Sequence, residues 1–171
     1  MVGGDGRQVA GSLTSWLGGL EFSGADADGV TRLLVEAVLA WGTAQGWRVY
    51  RKARSVVPLP PPYADRHSWV DVGIGRPDGP PVVVEIDQSD RRRTLEKLQA
   101  EAAAGRVALW VRWGTGRFAE PPEPVLLVPF GVGAANGPAG KLFSAPARQR
   151  PAPVHSGADL GESTQDGLFG A

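Results

Sequence analysis

Between Asp26 and Gly46, apolar residues recur every three or four positions: Val30, Leu33, Leu34, Ala37, Val38, Trp41 and Ala44. That spacing predicts a helix, with Asp26 or Asp28 as its cap and Gly46 as its stop. Val35 and Leu39 fall on its other side, so more than one face is covered. From Trp47 to Val57 the period changes to two, apolar alternating with basic, as in a half-buried strand with Arg48, Arg51 or Lys52, and Arg54 outward. PLPPPYADRHS cannot continue a ladder and leads into a second strand, Ser68 to Gly75. RPDGPP then marks a hairpin turn. Val82 to Asp87 is a continuous apolar run ending in acids, the mark of a central strand buried on both faces. A loop with Ser89 or Asp90 as cap opens a helix from Thr94 to Ala104, with Leu95, Leu98 and Ala102 inward and Gly105 closing it. Val107 to Trp113 reads as another buried strand, and Val125 to Phe130 as a last one, at an edge because it holds Pro129.

The flanks carry weaker patterns. Residues 1–23 are Gly-rich and read as a flexible segment, in which Leu13, Trp16, Leu17 and Leu20 allow one short helix from Ser12 to Leu20. Beyond Phe130 no periodic apolar face remains, so residues 132–171 read as a disordered tail. The expected organisation is therefore an α/β domain over residues 24–131, with helices on a mixed sheet and extensions at both ends.

Composition sharpens this picture in three ways. The 24 Gly and 15 Pro concentrate outside the middle of the 171 residues, which suits one domain with loose ends. Charge balances at 18 basic and 18 acidic residues, yet Trp47 to Arg117 holds 13 Lys/Arg against 8 Asp/Glu. A locally basic core suits a polyanionic partner such as DNA. The absence of Cys excludes disulfides and thiolate metal sites. No apolar run has the length of a membrane span and no signal layout opens the chain, so a soluble, cytoplasmic protein without membrane contact is expected.

Chemistry concentrates in three carboxylates. Glu85 and Asp87 are two apart on one strand and project to one face, and Asp71 on the neighbouring strand can join them. Hard divalent cations take oxygen ligands of this kind, and a metal there could activate water against a phosphodiester. The competing account is that the acids pair with Arg91, Arg92 or Arg93. Those arginines, with Arg51, Lys52 and Arg54, form a candidate phosphate-contacting set, against the commoner reading of a solvated face. No Ser/His/Asp arrangement or phosphate-cradling Gly loop is present. Trp41, Trp69, Trp110 and Trp113 fall in predicted elements, where core packing accounts for them.

The order of helix, three strands with Asp71 on the second and Glu85-Ile86-Asp87 on the third, then helix and strand resembles the PD-(D/E)XK nuclease superfamily, over about residues 28 to 115. The resemblance implies a restriction-endonuclease-like α-β-β-β-α-β core and Mg²⁺- or Mn²⁺-dependent cleavage of DNA. Asp71 and Glu85 match the two metal-binding acids, with Asp87 as a further ligand, and Glu36 falls where some members place an additional acid. Many members work as homodimers. The lysine expected two residues after Glu85 is Asp87, and Lys97 on the next helix is the candidate replacement, against an ordinary exposed lysine beside Glu96 and Glu101.

The last seven residues, QDGLFGA, place Gln165, Leu168 and Phe169 in an arrangement that resembles the bacterial sliding-clamp-binding peptide. It implies recruitment to the clamp in replication or repair, two apolar side chains filling a pocket. The readings that follow are a metal-dependent nuclease, a catalytically inactive DNA-processing adaptor of the same fold, and a small non-catalytic interaction domain.

Overall fold

The structure, a computed structural model, describes residues 2–147. Helix α2 (Ala27–Ala44) forms where the apolar period requires it, and the Asp26 side chain caps it by accepting from the Gly29 N–H at 2.7 Å. Gly46, at φ 80°, closes it in a backbone region that side chains avoid. Gly42 lets the helix sit close on the sheet, since a Cβ there would stand 2.5 Å from Val49 Cγ1.

The strands β2 (Arg48–Pro58), β3 (His67–Gly75), β4 (Val82–Asp87), β5 (Val107–Gly114) and β6 (Leu126–Gly131) form one five-stranded sheet in that order. β2, β3 and β4 are antiparallel neighbours, whereas β4, β5 and β6 run parallel, so the sheet is mixed. β4 is central and β6 is an edge, as the apolar run and Pro129 predict. Helix α3 (Arg92–Ala103) crosses from β4 to β5. Its first turn has no side-chain cap: Arg91 occupies that position, and neither Ser89 nor Asp90 caps it. One core, holding Leu34, Val38, Trp41, Val84 and Leu109, lies on the α2 side of the sheet, and a smaller one around Leu98, Val83 and Trp110 lies under α3.

Both flanks depart from the pattern-based expectation. In place of a flexible segment with a short helix, α1 spans Val2–Leu17 and buries Val9, Ala10, Leu13 and Leu17 in the main core. The Trp41 indole N–H donates to Ser12 Oγ at 3.0 Å, and Arg76 grips Asp5 through two bonds of 3.0 and 2.6 Å. The Arg76 guanidinium holds the Asp5 carboxyl below its ordinary range. Residues 133–145, expected in the tail, form a hairpin of β7 (Gly133–Gly137) and β8 (Gly140–Ala145). β8 pairs with β1 (Phe22–Ala25), making a separate three-stranded antiparallel sheet. Phe143 meets the Trp113 ring edge-on at 5.1 Å and joins the main core with Val132. Each flank is held by contacts with residues remote in the chain, which a local apolar period cannot register.

No helix among the described residues is long and apolar enough to cross a membrane. Since Leu13 is fully buried and Trp16 is 41 % exposed, Leu13→Ala should cost about 2–5 kcal/mol and Trp16→Ala less than about 1 kcal/mol. Urea denaturation of the two variants checks this; equal, small losses would show that α1 does not share the core.

Candidate functional site

The site begins where two strands part. β3 and β4 pair through Ile74↔Val82, Gly73↔Val83 and Val72↔Val84. Beyond Val84 the Ile86 N–H is taken by Asp71 Oδ2 at 2.9 Å, a side chain standing in for a backbone acceptor. Val72 packs in the α2-side core and Val70 in the α3-side core. Residues two apart on a regular strand share a face, so β3 rolls about its axis at Asp71. The roll brings the Asp71 carboxylate beside Glu85, which is 6 % exposed.

Each of the two acids meets a lysine. Lys97, reaching down from α3, donates to Glu85 Oε1 at 2.5 Å and to the Trp69 carbonyl at 2.8 Å. Lys52 lies 3.2 Å from Asp71 Oδ1, across the β2–β3 ladder. Its φ of 56° is the left-handed region, which costs a residue with a Cβ roughly 1–2 kcal/mol. Burial, and then the Asp71 charge, push the Glu85 carboxyl up to about 8 against the opposing pull of Lys97. Asp87 is engaged differently: Trp110 Nε1 donates to its Oδ2 at 3.0 Å, and Arg91 Nε stands 3.8 Å from its Oδ1.

Asp71, Glu85, Asp87, Arg91 and Lys97 line a cleft of about 530 Å³ between the starts of α2 and α3. Asp28 and Thr31 of α2 form one wall, and Arg91, Arg93 and Thr94 the other. The peptide N–H groups of the first turn of α3, which lack a side-chain cap, belong to that second wall.

The structure thus brings together Asp71, Glu85, Asp87, Lys97, Arg91 and Arg93, with Lys52 at the margin through its contact with Asp71. Others go elsewhere. Glu36 pairs with Arg51 on the surface and does not line the cleft; four residues is one helical turn, and the acid of α2 that does line it is Asp28, two turns earlier. Arg92 points to solvent and pairs with Glu96 at 3.0 Å. Arg54 lines a different depression. Among the described residues, no three His, Cys, Asp or Glu side chains converge to hold a metal. Asp87, expected as a further ligand, instead bonds to Trp110. Gln165, Leu168 and Phe169 lie outside the described residues.

Sequence reasoning missed Asp28 as a cleft residue, because it competed with Asp26 for the cap and only the geometry decides between them. It named Lys52 for phosphate contact and not as a partner of Asp71, an approach that depends on a backbone turn that no local pattern signals. Arg112 stacks over Trp110 and Phe118, at 4.9 and 5.5 Å, with its guanidinium 3.6 Å from Asp90 in the loop whose Gln88 and Ser89 line the cleft. Compared with family models, with curated proteins and with solved structures, the chain has no match.

The raised Glu85 carboxyl has a consequence for stability. Its ordinary value is 4.5, and in the fold it keeps its proton to about 8. Between those values the folded state binds more protons than the unfolded chain, so stability is lost as pH rises through that window. Glu85→Gln, which cannot ionise, should remove on the order of 3 kcal/mol of the stability difference between pH 5 and pH 8. Urea midpoints of both proteins at the two pH values measure it, and an unchanged difference would place the Glu85 proton elsewhere.

Proposed function

We propose that this chain is a metal-dependent nuclease of the PD-(D/E)XK type acting on DNA, with its lysine supplied by α3 rather than by the strand. The observation that carries this reading is the contact of Lys97 Nζ with Glu85 Oε1 at 2.5 Å, beside Asp71. The element order α2, β2, β3, β4, α3, β5 supports a restriction-endonuclease-like core.

The donor set fits Mg²⁺ or Mn²⁺. Asp71 and Glu85 are hard oxygen donors side by side, and burial with mutual repulsion keeps one of them protonated. A divalent cation can replace that proton, and Mg²⁺ commonly takes only one or two protein carboxylates with water completing its shell. Bound between Asp71 and Glu85, it would supply a Lewis acid for the phosphodiester and a water of lowered pKa. Lys97 would then orient the attacking water and offset charge developing on phosphorus oxygens. Arg91, Arg93 and the start of α3 would hold the phosphate backbone on the opposite wall. Asp87 would position Trp110 and Arg91. Recruitment to a sliding clamp through Gln165, Leu168 and Phe169 completes the proposal and places the activity in replication or repair.

A second reading has its own observation. Both acids are already matched by lysines, which suits a catalytically inactive DNA-processing adaptor that keeps the fold.

Cleavage of single-stranded, duplex, mismatched and branched DNA with Mg²⁺ or Mn²⁺ tests the proposal. Wild type should cut at least one substrate, and Asp71→Ala and Glu85→Ala should lose activity by at least about 100-fold. Lys97→Met should lose about 100-fold or more, with the metal still bound. No cleavage by folded wild-type protein would sink the nuclease reading in favour of the adaptor.

A further inference from the structure

Trp69, expected in the core, is 55 % exposed. Arg54 stands directly across the β2–β3 ladder from it. The Pro-rich loop between those strands brings a second ring to the surface: Tyr63 is also 55 % exposed, with the Arg66 guanidinium 5.7 Å from its centre. Arg54, Arg66, His67 and Trp69 line a single depression of about 480 Å³, with Asp65 as its one acid. Burying a Trp removes a large apolar area from water. This chain nevertheless holds one outside the core, on a strand whose neighbouring residues Ser68 and Val70 are buried.

Exposed rings interleaved with guanidinium groups are what an unpaired strand of nucleic acid requires. Bases have stacking faces open only when they are not enclosed in a duplex, and the phosphates between them need cations at short intervals. Duplex DNA could use the arginines alone. The surface also abuts the acid cleft: the Trp69 carbonyl accepts from the same Lys97 ammonium that meets Glu85, and Asp71 is two residues further along β3.

We propose that Trp69, Tyr63, Arg54 and Arg66 form a binding surface for single-stranded DNA that leads the strand to the cleft at Asp71 and Glu85. The destination rests on the nuclease reading above; the binding does not, since it needs neither metal nor turnover.

The test is binding of a fluorescent oligo(dT), and of a duplex of equal length, to the full chain in EDTA. Trp69→Ala should weaken oligo(dT) binding about tenfold and change duplex binding less than about twofold. Trp69→Tyr, which keeps a stacking ring, should stay within about threefold of wild type. Arg54→Ala and Arg66→Ala should each reduce the salt dependence on oligo(dT) by about 0.7 in log–log slope. Unchanged oligo(dT) binding by Trp69→Ala, or an equal loss on duplex, would overturn the proposal. If wild type binds through Trp69 yet cuts nothing, the nuclease reading fails and this surface stands.

Discussion

The bond from the Ile86 N–H to the Asp71 carboxylate is the constraint on which the site depends. A β-ladder normally satisfies each amide with a carbonyl, and a buried amide without an acceptor is costly. At this position the partner strand has rolled away, and among the described residues the acceptor is a charged side chain. Asp71 therefore cannot move without leaving a peptide group stranded, and its place beside Glu85 follows from the sheet rather than from the cleft. One carboxylate thus serves a structural amide through Oδ2 and the Lys52 ammonium through Oδ1.

Two carboxyl groups in low-dielectric surroundings repel one another and resist ionising together. The fold tolerates the pair by placing an ammonium on each and by retaining a proton on Glu85 through neutral pH. The flanking arginines are less involved than their charge suggests. Arg91 is a loose neighbour of Asp87, and among the described residues Arg92 pairs with Glu96 of its own helix. Of the two accounts of the acids that the sequence leaves open, a metal site and pairing with Arg91, Arg92 or Arg93, the described residues show ion pairs, with lysines rather than arginines as the counter-charges of Asp71 and Glu85.

What could be read from the chain alone follows from how locally each feature is encoded. Helix α2, strands β3 to β5 and the central place of β4 are written in contiguous apolar periods, and they form where expected. The pairing of Asp71 and Glu85 on neighbouring strands was legible from the hairpin, but their approach depends on the roll of β3 at Asp71, which alternation does not encode, and Lys97 was named only through the family resemblance. α1 was not legible, since four glycines within its span weaken its propensity and its docking is set by Trp41 and Arg76, both distant in sequence. The β7–β8 hairpin contains alanine and glycine where alternation should show, and its place is fixed by pairing with β1 some 120 residues away. Glu36 and Asp28 lie eight residues apart on one helix, so period alone does not decide which of them reaches the cleft. Trp69 misleads for the opposite reason: residue type argues for the interior, and only the cross-strand neighbour Arg54 and the rolled strand leave it in water.

Lys97 is not the only ionised group that α3 sends toward the sheet. Glu101, one helical turn on, is fully buried and accepts from Ser55 Oγ and the Val56 N–H of β2 at 2.6 and 2.8 Å, with Arg106 at 2.5 Å. The two side chains lie on the same stripe of the helix but carry opposite sign. If α3 slid along the sheet by one turn, about 5.4 Å, in the direction that carries Glu101 to the place of Lys97, a carboxyl group would arrive where the ammonium meets Glu85. Apolar contacts such as those of Leu98 distinguish registers weakly, whereas this reversal of sign disfavours that one. Charge order along α3 thus opposes a slide in that direction, and Glu101, held by β2 and Arg106, anchors the turn that follows Lys97 without lining the cleft.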